Sequence, residues 1–270
     1  MPLDQVDVDK MQDGDSAKMT FLEHIETLRW HIIRSLAATI VIAVGIFLAK
    51  DFVFTTLILG PKEAEFFTYR VICGFSERLC FYPPEFTLIT RDLGEQFIVH
   101  LKVSFWLGLV CAIPYVFFEV WRFIKPGLYS KERRAARGFV TVCSLLFFAG
   151  VLFGYYIIAP FGITFLASYD VGATSAPTLN SYVNYMTMFT LPTGIVFQLP
   201  VVVYFLASIG LIGPGVMRRY RKHAFVGILV LASIITPPDV VTQLLISGPL
   251  YFLYEVSIVI AARIEKKNRI

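Results

Sequence analysis

Six long apolar runs divide this 270-residue chain, and they constrain its fold more than any other feature. A helix needs roughly 20 apolar residues to cross the ~30 Å hydrocarbon core of a bilayer, and most of the runs reach or approach that length. Since 56% of the residues are hydrophobic, the runs cannot all be buried in a water-soluble core of this size. The sequence therefore predicts an all-α membrane protein with six transmembrane helices. The runs are Ile32–Ala49, Phe97–Val120, Phe139–Ala159, Tyr185–Ile212, Ala224–Ile235 and Leu244–Ala262.

Lys and Arg are concentrated in alternate loops, which predicts the orientation of the helices. Cytoplasmic loops of membrane proteins carry an excess of these residues. Basic segments follow the second, fourth and sixth runs, whereas residues 174–184 and 236–243 contain neither Lys nor Arg. Both termini are therefore predicted to be cytoplasmic (N-in/C-in). The predicted exported loops are 51–95 and 160–184, and the predicted cytoplasmic loops are 121–138 and 213–223.

The N-terminal segment has the wrong charge for a cleavable signal peptide. It is rich in aspartate, whereas a signal peptide begins with a basic region. The first apolar run is therefore predicted to be a retained helix, with Arg29 and Arg34 on its cytoplasmic flank. We divide the chain into an acidic, disordered cytoplasmic tail (1–19), a six-helix membrane domain (20–262) and a basic cytoplasmic tail (263–270).

The four cysteines fall into two pairs. Cys111 and Cys143 lie in apolar runs and are predicted to be small buried side chains. Cys73 and Cys80 lie in the predicted exported loop, where an oxidising compartment permits a disulfide. We favour a Cys73–Cys80 disulfide, and two free thiols are the alternative.

Polar residues inside the apolar runs mark positions of function or of helix contact, because they are costly in lipid. Lys102 is interpreted as a side chain that reaches the exported interface, and Glu119 as an interfacial residue at the opposite end of its run. Gln198 can hydrogen-bond across helices, line a wet cavity or receive a polar partner helix. Glu255 is expected to pair with a neighbouring cation.

Prolines interrupt several of the runs. Each removes a backbone donor and bends its helix, which favours a curved, cupped bundle. Ala224–Ile235 rises only about 18 Å, less than a bilayer core, so the last two helices are predicted to be short. The interrupting prolines are Pro114, Pro192, Pro200 and Pro249.

Enzyme motifs are absent from the sequence. No second His follows Glu23-His24 at the spacing of a helical zinc site, and there is no nucleophile elbow, phosphate loop or Cys–His ligand cluster. We therefore predict a protein that is not an enzyme and has no metal or cofactor. A secondary transporter or channel for small solutes is the alternative function, with Lys102, Gln198 and Glu255 along its path.

Three segments together resemble the TatC family, the polytopic subunit of the twin-arginine protein translocase. They occur in the family's order, and the resemblance runs from Thr20 to Ala262. The segments are Phe21-Leu22-Glu23-His24-Ile25-Glu26-Thr27-Leu28-Arg29, Trp121-Arg122-Phe123-Ile124-Lys125-Pro126-Gly127-Leu128-Tyr129-Ser130-Lys131-Glu132-Arg133-Arg134 and Thr236-Pro237-Pro238-Asp239-Val240-Val241-Thr242-Gln243.

The resemblance implies a signal-peptide receptor in the bacterial inner membrane. Proteins of this family bind signal peptides that carry paired arginines, and they help transport folded proteins using the proton-motive force. It also implies partner subunits of the TatB and TatA kinds, each with a single span, in a multimeric receptor complex within membrane lipid. No nucleic-acid partner is implied.

The resemblance also implies the site residues. Glu132 matches the family's arginine-binding carboxylate, Phe123 its aromatic residue, and Arg29 an arginine that organises the site. The acid that usually precedes Leu-Arg is replaced here by Thr27. We expect Glu23 to substitute for it, because residues four apart share one helix face, with Glu26 as the rival.

Three further residues are implied to contact partner helices or act in transport. Gln198 stands where many relatives carry a membrane-embedded Glu, so its amide keeps hydrogen bonds but cannot ionise. Asp239 and Gln243 match the motif at the exported end of the last hairpin. A local role remains open for Asp239, which is suited to cap the final helix.

Overall fold

The computed structural model describes residues 21–75, 80–125, 138–169, 172, 176–235 and 240–268. These residues are almost entirely helical, and the part of the chain described contains one isolated β-bridge but no longer strand. The helices are α1 Phe21–Leu48, α2 Lys50–Phe52, α3 Phe67–Phe75, α4 Glu95–Ile124, α5 Phe139–Phe153, α6 Ala159–Ser168, α7 Leu179–Val196, α8 Leu199–Ser208, α9 Pro214–Arg219, α10 Arg221–Ile235 and α11 Val240–Asn268.

Five helical stretches among the described residues are long and apolar enough to cross a membrane: Ile25–Leu48, Glu95–Ile124, Phe139–Ser168, Leu179–Ser208 and Thr242–Lys266. The 15-residue α10 is the short helix that the sequence predicts. The last helix is longer than predicted. It spans 29 residues because it begins before the apolar run and continues into the basic segment that the sequence assigns to a tail.

The third and fourth membrane stretches are each built from two helices. A π-helical turn, Gly154–Ile158, joins α5 to α6, so this stretch continues to Ser168. The predicted loop at 160–184 is therefore too long, since α7 already begins at Leu179. Pro160 does not end the helix because it lies in the first turn of α6, where a proline removes no needed donor.

The fourth stretch is interrupted at Phe197–Gln198, between α7 and α8. Pro200 follows in the first turn of α8, which explains why the helix restarts there. By contrast, Pro114, Pro192 and Pro249 lie inside α4, α7 and α11 without ending them.

Helix α1 packs mainly against α4. Gly108 of α4 permits a close crossing, because a Cβ atom at that position would lie 2.7 Å from the Cβ atom of Ala43. Further along, the Phe47 ring stacks on the His100 ring with 4.0 Å between centroids. The two helices run antiparallel, so the start of α1 lies beside the end of α4.

Helices α5 and α7 cross at glycines on both partners. A Cβ atom on Gly150 would lie 2.8 Å from the Cα atom of Gly194, and one on Gly154 would lie 2.4 Å from the carbonyl oxygen of Phe189. The small residues therefore bring the two backbones together, as in many membrane helix pairs. Phe189 is fully buried at the centre of this packing.

The segment between α1 and α4 is folded rather than extended. Within this segment, predicted as the exported loop 51–95, α3 ends near the Cys73–Cys80 disulfide, which confirms the predicted pairing. The Tyr69 hydroxyl donates to the carbonyl oxygen of Pro61 at 3.0 Å and lies 3.2 Å from the hydroxyl of Thr164.

This folded segment is joined to the start of α7. The amide of Ile89 donates to the carbonyl oxygen of Pro177 at 3.1 Å, and the amide of Leu179 donates to Ile89 at 2.9 Å. The Glu95 carboxylate accepts from the backbone amides of Arg91 at 2.6 Å and Asn180 at 3.0 Å. One carboxylate at the start of α4 therefore satisfies an orphan donor in the first turn of α7.

Candidate functional site

The start of α1, the end of α4 and the start of α5 lie at one end of the bundle. We call it the basic end. The predicted site residues of α1 lie here. Glu23 lies in the first turn of the helix, and Glu26 and Arg29 lie further along it with exposed side chains. Both side chains are therefore open to the surroundings of the bundle at this end.

A buried hydrogen bond joins α1 to α4 at the basic end. His31 Nδ1 lies 2.5 Å from Glu119 Oε2, and the two side chains are 10% and 2% exposed. The hydroxyl of Tyr115, one turn earlier on α4, also donates to the Glu119 carboxylate. Glu119 is therefore buried inside the protein, where His31 and Tyr115 satisfy its oxygens.

Phe123 lies one turn beyond Glu119, and its ring contacts the same histidine. The centroids of the Phe123 and His31 rings are 5.9 Å apart in an edge-to-face arrangement. Phe123 is half-buried. The aromatic residue predicted from the family motif therefore lies beside His31 of α1, which is two residues after Arg29.

The segment that contains Glu132 begins and ends at this place. The ring of Trp121, near the end of α4, stacks on that of Phe139, the first residue of α5, with 4.9 Å between centroids. Glu132 itself lies outside the described residues, as do the acidic segment 1–19 and Asp239. The described parts of the site thus comprise the α1 residues, Phe123 and the two ends of the Glu132 segment.

Gln198 lies at the break between α7 and α8, beside the first turns of α5. Its Nε2 donates to the carbonyl oxygen of Cys143 on α5 at 3.0 Å, so the predicted hydrogen bond across helices is present. Its buried Oε1 has no hydrogen-bond partner among the described residues. One half of the amide fixes the helix break, and the other half remains able to accept a hydrogen bond.

The other predicted polar residues make local contacts. Gln243 Nε2 donates to the carbonyl oxygen of Leu229 at 3.0 Å, which links α11 to α10. Lys102 donates to the side-chain oxygen of Asn184 on α7 rather than only reaching the interface. Glu255 pairs with Arg221 at 2.7 Å, as expected. These residues do not converge on one path through the bundle.

No group of three or more metal-ligating side chains occurs in the described part of the chain. His100 and Ser104 each bury a side-chain polar atom without a described partner, and both lie on α4. The His31–Glu119 link is the functional candidate that the sequence reasoning missed. The only sign of this link in the sequence is Glu119, a carboxylate within an apolar run, because His31 lies 88 residues away in the chain.

Comparison with known proteins agrees with this architecture. The family model for the Sec-independent protein translocase protein (TatC) matches residues 23–249. A TatC protein of Blattabacterium sp. subsp. Periplaneta americana is 36% identical over 266 residues, which cover 94% of this chain and 99% of the relative. TatCy of Bacillus subtilis is 32% identical over 253 residues, which cover 93% and 91%.

Solved structures show the same fold. A crystal structure of the twin arginine translocase receptor TatC aligns with a TM-score of 0.69 at 31% identity and covers 88% of this chain and 98% of that one. A second crystal structure, in DDM, aligns with a TM-score of 0.71, also at 31% identity, and covers 88% and 99%. These structures have six spans, so the short α10 is counted as a span together with the five longer stretches.

These matches replace the small-solute transporter as an interpretation. The family comprises components of a protein translocase and is not a family of catalytic enzymes. This chain is accordingly a multi-pass membrane subunit of the twin-arginine translocase. On the match over residues 23–249 and the two high-coverage relatives, the chain belongs to the TatC family of Sec-independent protein translocase proteins.

Proposed function

We propose that this subunit is the receptor that binds twin-arginine signal peptides at the basic end of the bundle. The observation that supports the proposal is the convergence at that end of the exposed Glu26 and Arg29 with Phe123 and both ends of the Glu132 segment. The crystal structures that match this chain are those of a twin arginine translocase receptor.

The chemistry of the site suits a pair of guanidinium groups. Arginine presents a planar fork of donors that binds carboxylates with two parallel, charge-assisted hydrogen bonds. Glu132 supplies one carboxylate, and Glu23 supplies the second in place of the acid missing at Thr27. Glu26 remains the rival for this second role. Arg29 orients these acids, and Phe123 packs against the bound peptide.

The orientation follows from the basic residues. Basic residues lie at the basic end or in the segments connected to it: Arg122, Lys125, Arg218, Arg219 and Lys266. The positive-inside rule therefore assigns that end to the cytoplasm. We place the protein in the bacterial inner membrane with both termini cytoplasmic. Transport of the folded substrate then draws on the proton-motive force, with TatB-like and TatA-like single-span subunits as partners.

Gln198, Asp239 and Gln243 contact these partner helices in this proposal. Gln198 is supported by its buried Oε1, which lacks a described partner and can accept a hydrogen bond from a polar side chain of another helix. Gln243 is supported less directly, because its Nε2 already donates to Leu229. Asp239 rests on the family motif alone.

Photo-crosslinking in native membranes tests the receptor proposal. Photoreactive residues are placed singly next to Glu132, Glu23 and Glu26, so that the three carboxylates are retained, and each probe is named by the acid beside it. A signal peptide with paired arginines is compared with a twin-lysine control. Lysine lacks the planar fork, so crosslinks at Glu132 and Glu23 should depend on arginine. A probe at Leu93, fully exposed in the segment between α1 and α4, is the control and should give none.

The crosslinking pattern also separates the parts of the proposal. Crosslinks at Glu132 and Glu26 but not at Glu23 would retain the receptor and reassign the second carboxylate. Equal crosslinking by arginine and lysine peptides at all three positions would refute recognition of the arginine pair. An ionophore that collapses the proton gradient should stop transport and leave the arginine-dependent crosslinks in place.

A further inference from the structure

The buried His31–Glu119 link lies between the anchored part of α1 and the residues of the proposed site. The structure describes the side chains of residues 25–48 of α1, and the buried ones among them are His31 and Thr39. Thr39 donates to the carbonyl oxygen of Ser35 on its own helix at 2.9 Å. His31 is therefore the buried α1 side chain that makes a polar contact with α4.

Two other contacts of α1 with α4 lie nearer its other end. Ala43 packs on Gly108, and Phe47 stacks on His100. At 1.5 Å per residue, His31 lies about 18 Å along the helix from Ala43, and Glu119 about 17 Å from Gly108. The matching distances show that the link forms a second point of attachment on the same pair of antiparallel helices.

We propose that His31 and Glu119 are positioning residues that hold the first turns of α1 in place for recognition of the arginine pair. The inference rests on the proposed function, which it extends to residues that do not touch the peptide. Tyr115 holds the Glu119 carboxylate from its other side, and Phe123 packs its ring on His31. His31 thus contacts both Glu119 and Phe123, the aromatic residue of the proposed site.

The geometry gives the link a large effect on the site. Loss of the link removes the polar attachment of α1 nearest the proposed site, which permits a tilt about the Ala43–Gly108 crossing. Glu23 lies about 30 Å along the helix from Ala43, so a tilt of about 10° moves it by about 5 Å. Bidentate hydrogen bonds to a guanidinium tolerate donor–acceptor displacements of only a few tenths of an ångström. A movement of about 5 Å therefore breaks them.

Binding by matched variants distinguishes positioning from a simple role in stability. The variants are His31→Leu, Glu119→Leu, Glu119→Gln and the double variant His31→Leu/Glu119→Leu, each as the full chain in detergent. A fluorescent twin-arginine signal peptide is the ligand, and its twin-lysine form measures binding that does not depend on the pair. The thermal midpoint of each variant is recorded beside its Kd.

The two roles predict opposite results for the double variant. Either single leucine leaves a buried polar partner without its hydrogen bond and lowers the midpoint. Two leucines form an apolar contact that restores the midpoint but lacks the directional hydrogen bond that fixes the position of α1. If the pair positions α1, the double variant melts near wild type yet binds the twin-arginine peptide at least about tenfold more weakly, with lysine-peptide binding unchanged. Glu119→Gln, which still accepts from His31, should retain most of the affinity.

A double variant that melts and binds like wild type would overturn the proposal. A distance measurement provides a readout independent of the peptide. Spin labels at Ile25→Cys and Phe118→Cys, both exposed positions, are introduced in a background with Cys111→Ser and Cys143→Ala. The double variant should broaden the distance distribution between the labels, and an unchanged distribution would also refute positioning.

The same experiments separate this inference from the proposed function. A wild-type protein that binds arginine and lysine peptides equally would refute the receptor proposal, whatever the labels report. A wild-type preference for arginine that persists unchanged in the double variant would refute the positioning role alone.

Discussion

Replacing Gly154 with alanine places a methyl group against the backbone of α7. The new Cβ atom would lie 2.4 Å from the carbonyl oxygen of Phe189 and 2.9 Å from the Cα atom of Thr190. Both are backbone atoms inside a helix, so neither can move aside by a change of rotamer. The substitution must therefore separate α5 from α7 or distort the π-helical turn that Gly154 begins.

The expected cost follows from two opposing effects. Overpacking a tight core site costs about 1–3 kcal/mol. The new methyl group would meet two backbone atoms, which cannot move aside, so we expect a cost in the upper part of that range. Alanine is favoured over glycine in a helix by about 1 kcal/mol, which offsets part of the cost. We therefore expect a net loss of about 2 kcal/mol, or roughly 4–8 °C in the thermal midpoint for a chain of this size.

Thermal unfolding of the detergent-solubilised protein, followed by tryptophan fluorescence, measures this loss. Gly45→Ala is the matched control, because a Cβ atom there meets nothing within 4 Å in the same bundle. The control should leave the midpoint unchanged or raise it slightly. If Gly154→Ala melted as high as Gly45→Ala, the close crossing of α5 and α7 would not contribute as we argue.

Three further perturbations have defined outcomes. The Cys73–Cys80 disulfide closes a loop of sequence separation 7, so Cys73→Ser/Cys80→Ser should cost about 2.5 kcal/mol, measured by the midpoint with and without reductant. Arg221→Ala should cost under about 1 kcal/mol in the same assay, because its pair with Glu255 is partly exposed. Tyr69→Phe should cost about 1 kcal/mol near neutral pH, by loss of its hydrogen bonds.

The pH dependence of the Tyr69 effect follows from its burial. Burial raises the pKa of Tyr69 above its usual value, and the hydrogen bond with Thr164 partly opposes this shift. The neutral hydroxyl is therefore the form that the fold stabilises, and its contribution is complete below the unfolded pKa near 10 and lost as pH rises above it. Tyr69→Phe and wild type should converge in stability in alkali, and a constant difference would contradict this assignment.

Hydropathy predicts the membrane helices well but not their ends. Each apolar run lies largely within described helices, because lipid leaves the backbone few other solutions. The ends are harder to predict, because a polar or proline residue ends a helix in some positions and continues it in others. Pro160 lies within a continuous span and Pro200 at a helix restart, although both occupy the first turn of a helix.

The motifs of the site can be predicted from the sequence, but the contacts that hold its helices in place cannot. The family motif identified Phe123, and the structure places its ring beside α1. The sequence predicts that Glu119 is interfacial, because it lies at the inner edge of its apolar run, but it does not reveal which side chain binds the carboxylate. Its true partner, His31, is brought to it only by the antiparallel packing of α1 on α4, which no local pattern encodes.

The shallow packing of α1 has a consequence for biogenesis. Most of the apolar side chains of this helix face away from the protein, so its insertion into lipid needs no other helix. His31 emerges from the ribosome 88 residues before Glu119, an interval of about 4–18 s at ordinary synthesis rates. During that interval we expect α1 to occupy the bilayer as an independent span whose imidazole lacks its carboxylate partner. Synthesis of α4 then supplies that carboxylate, so the polar contact between α1 and α4 forms only after both helices are made.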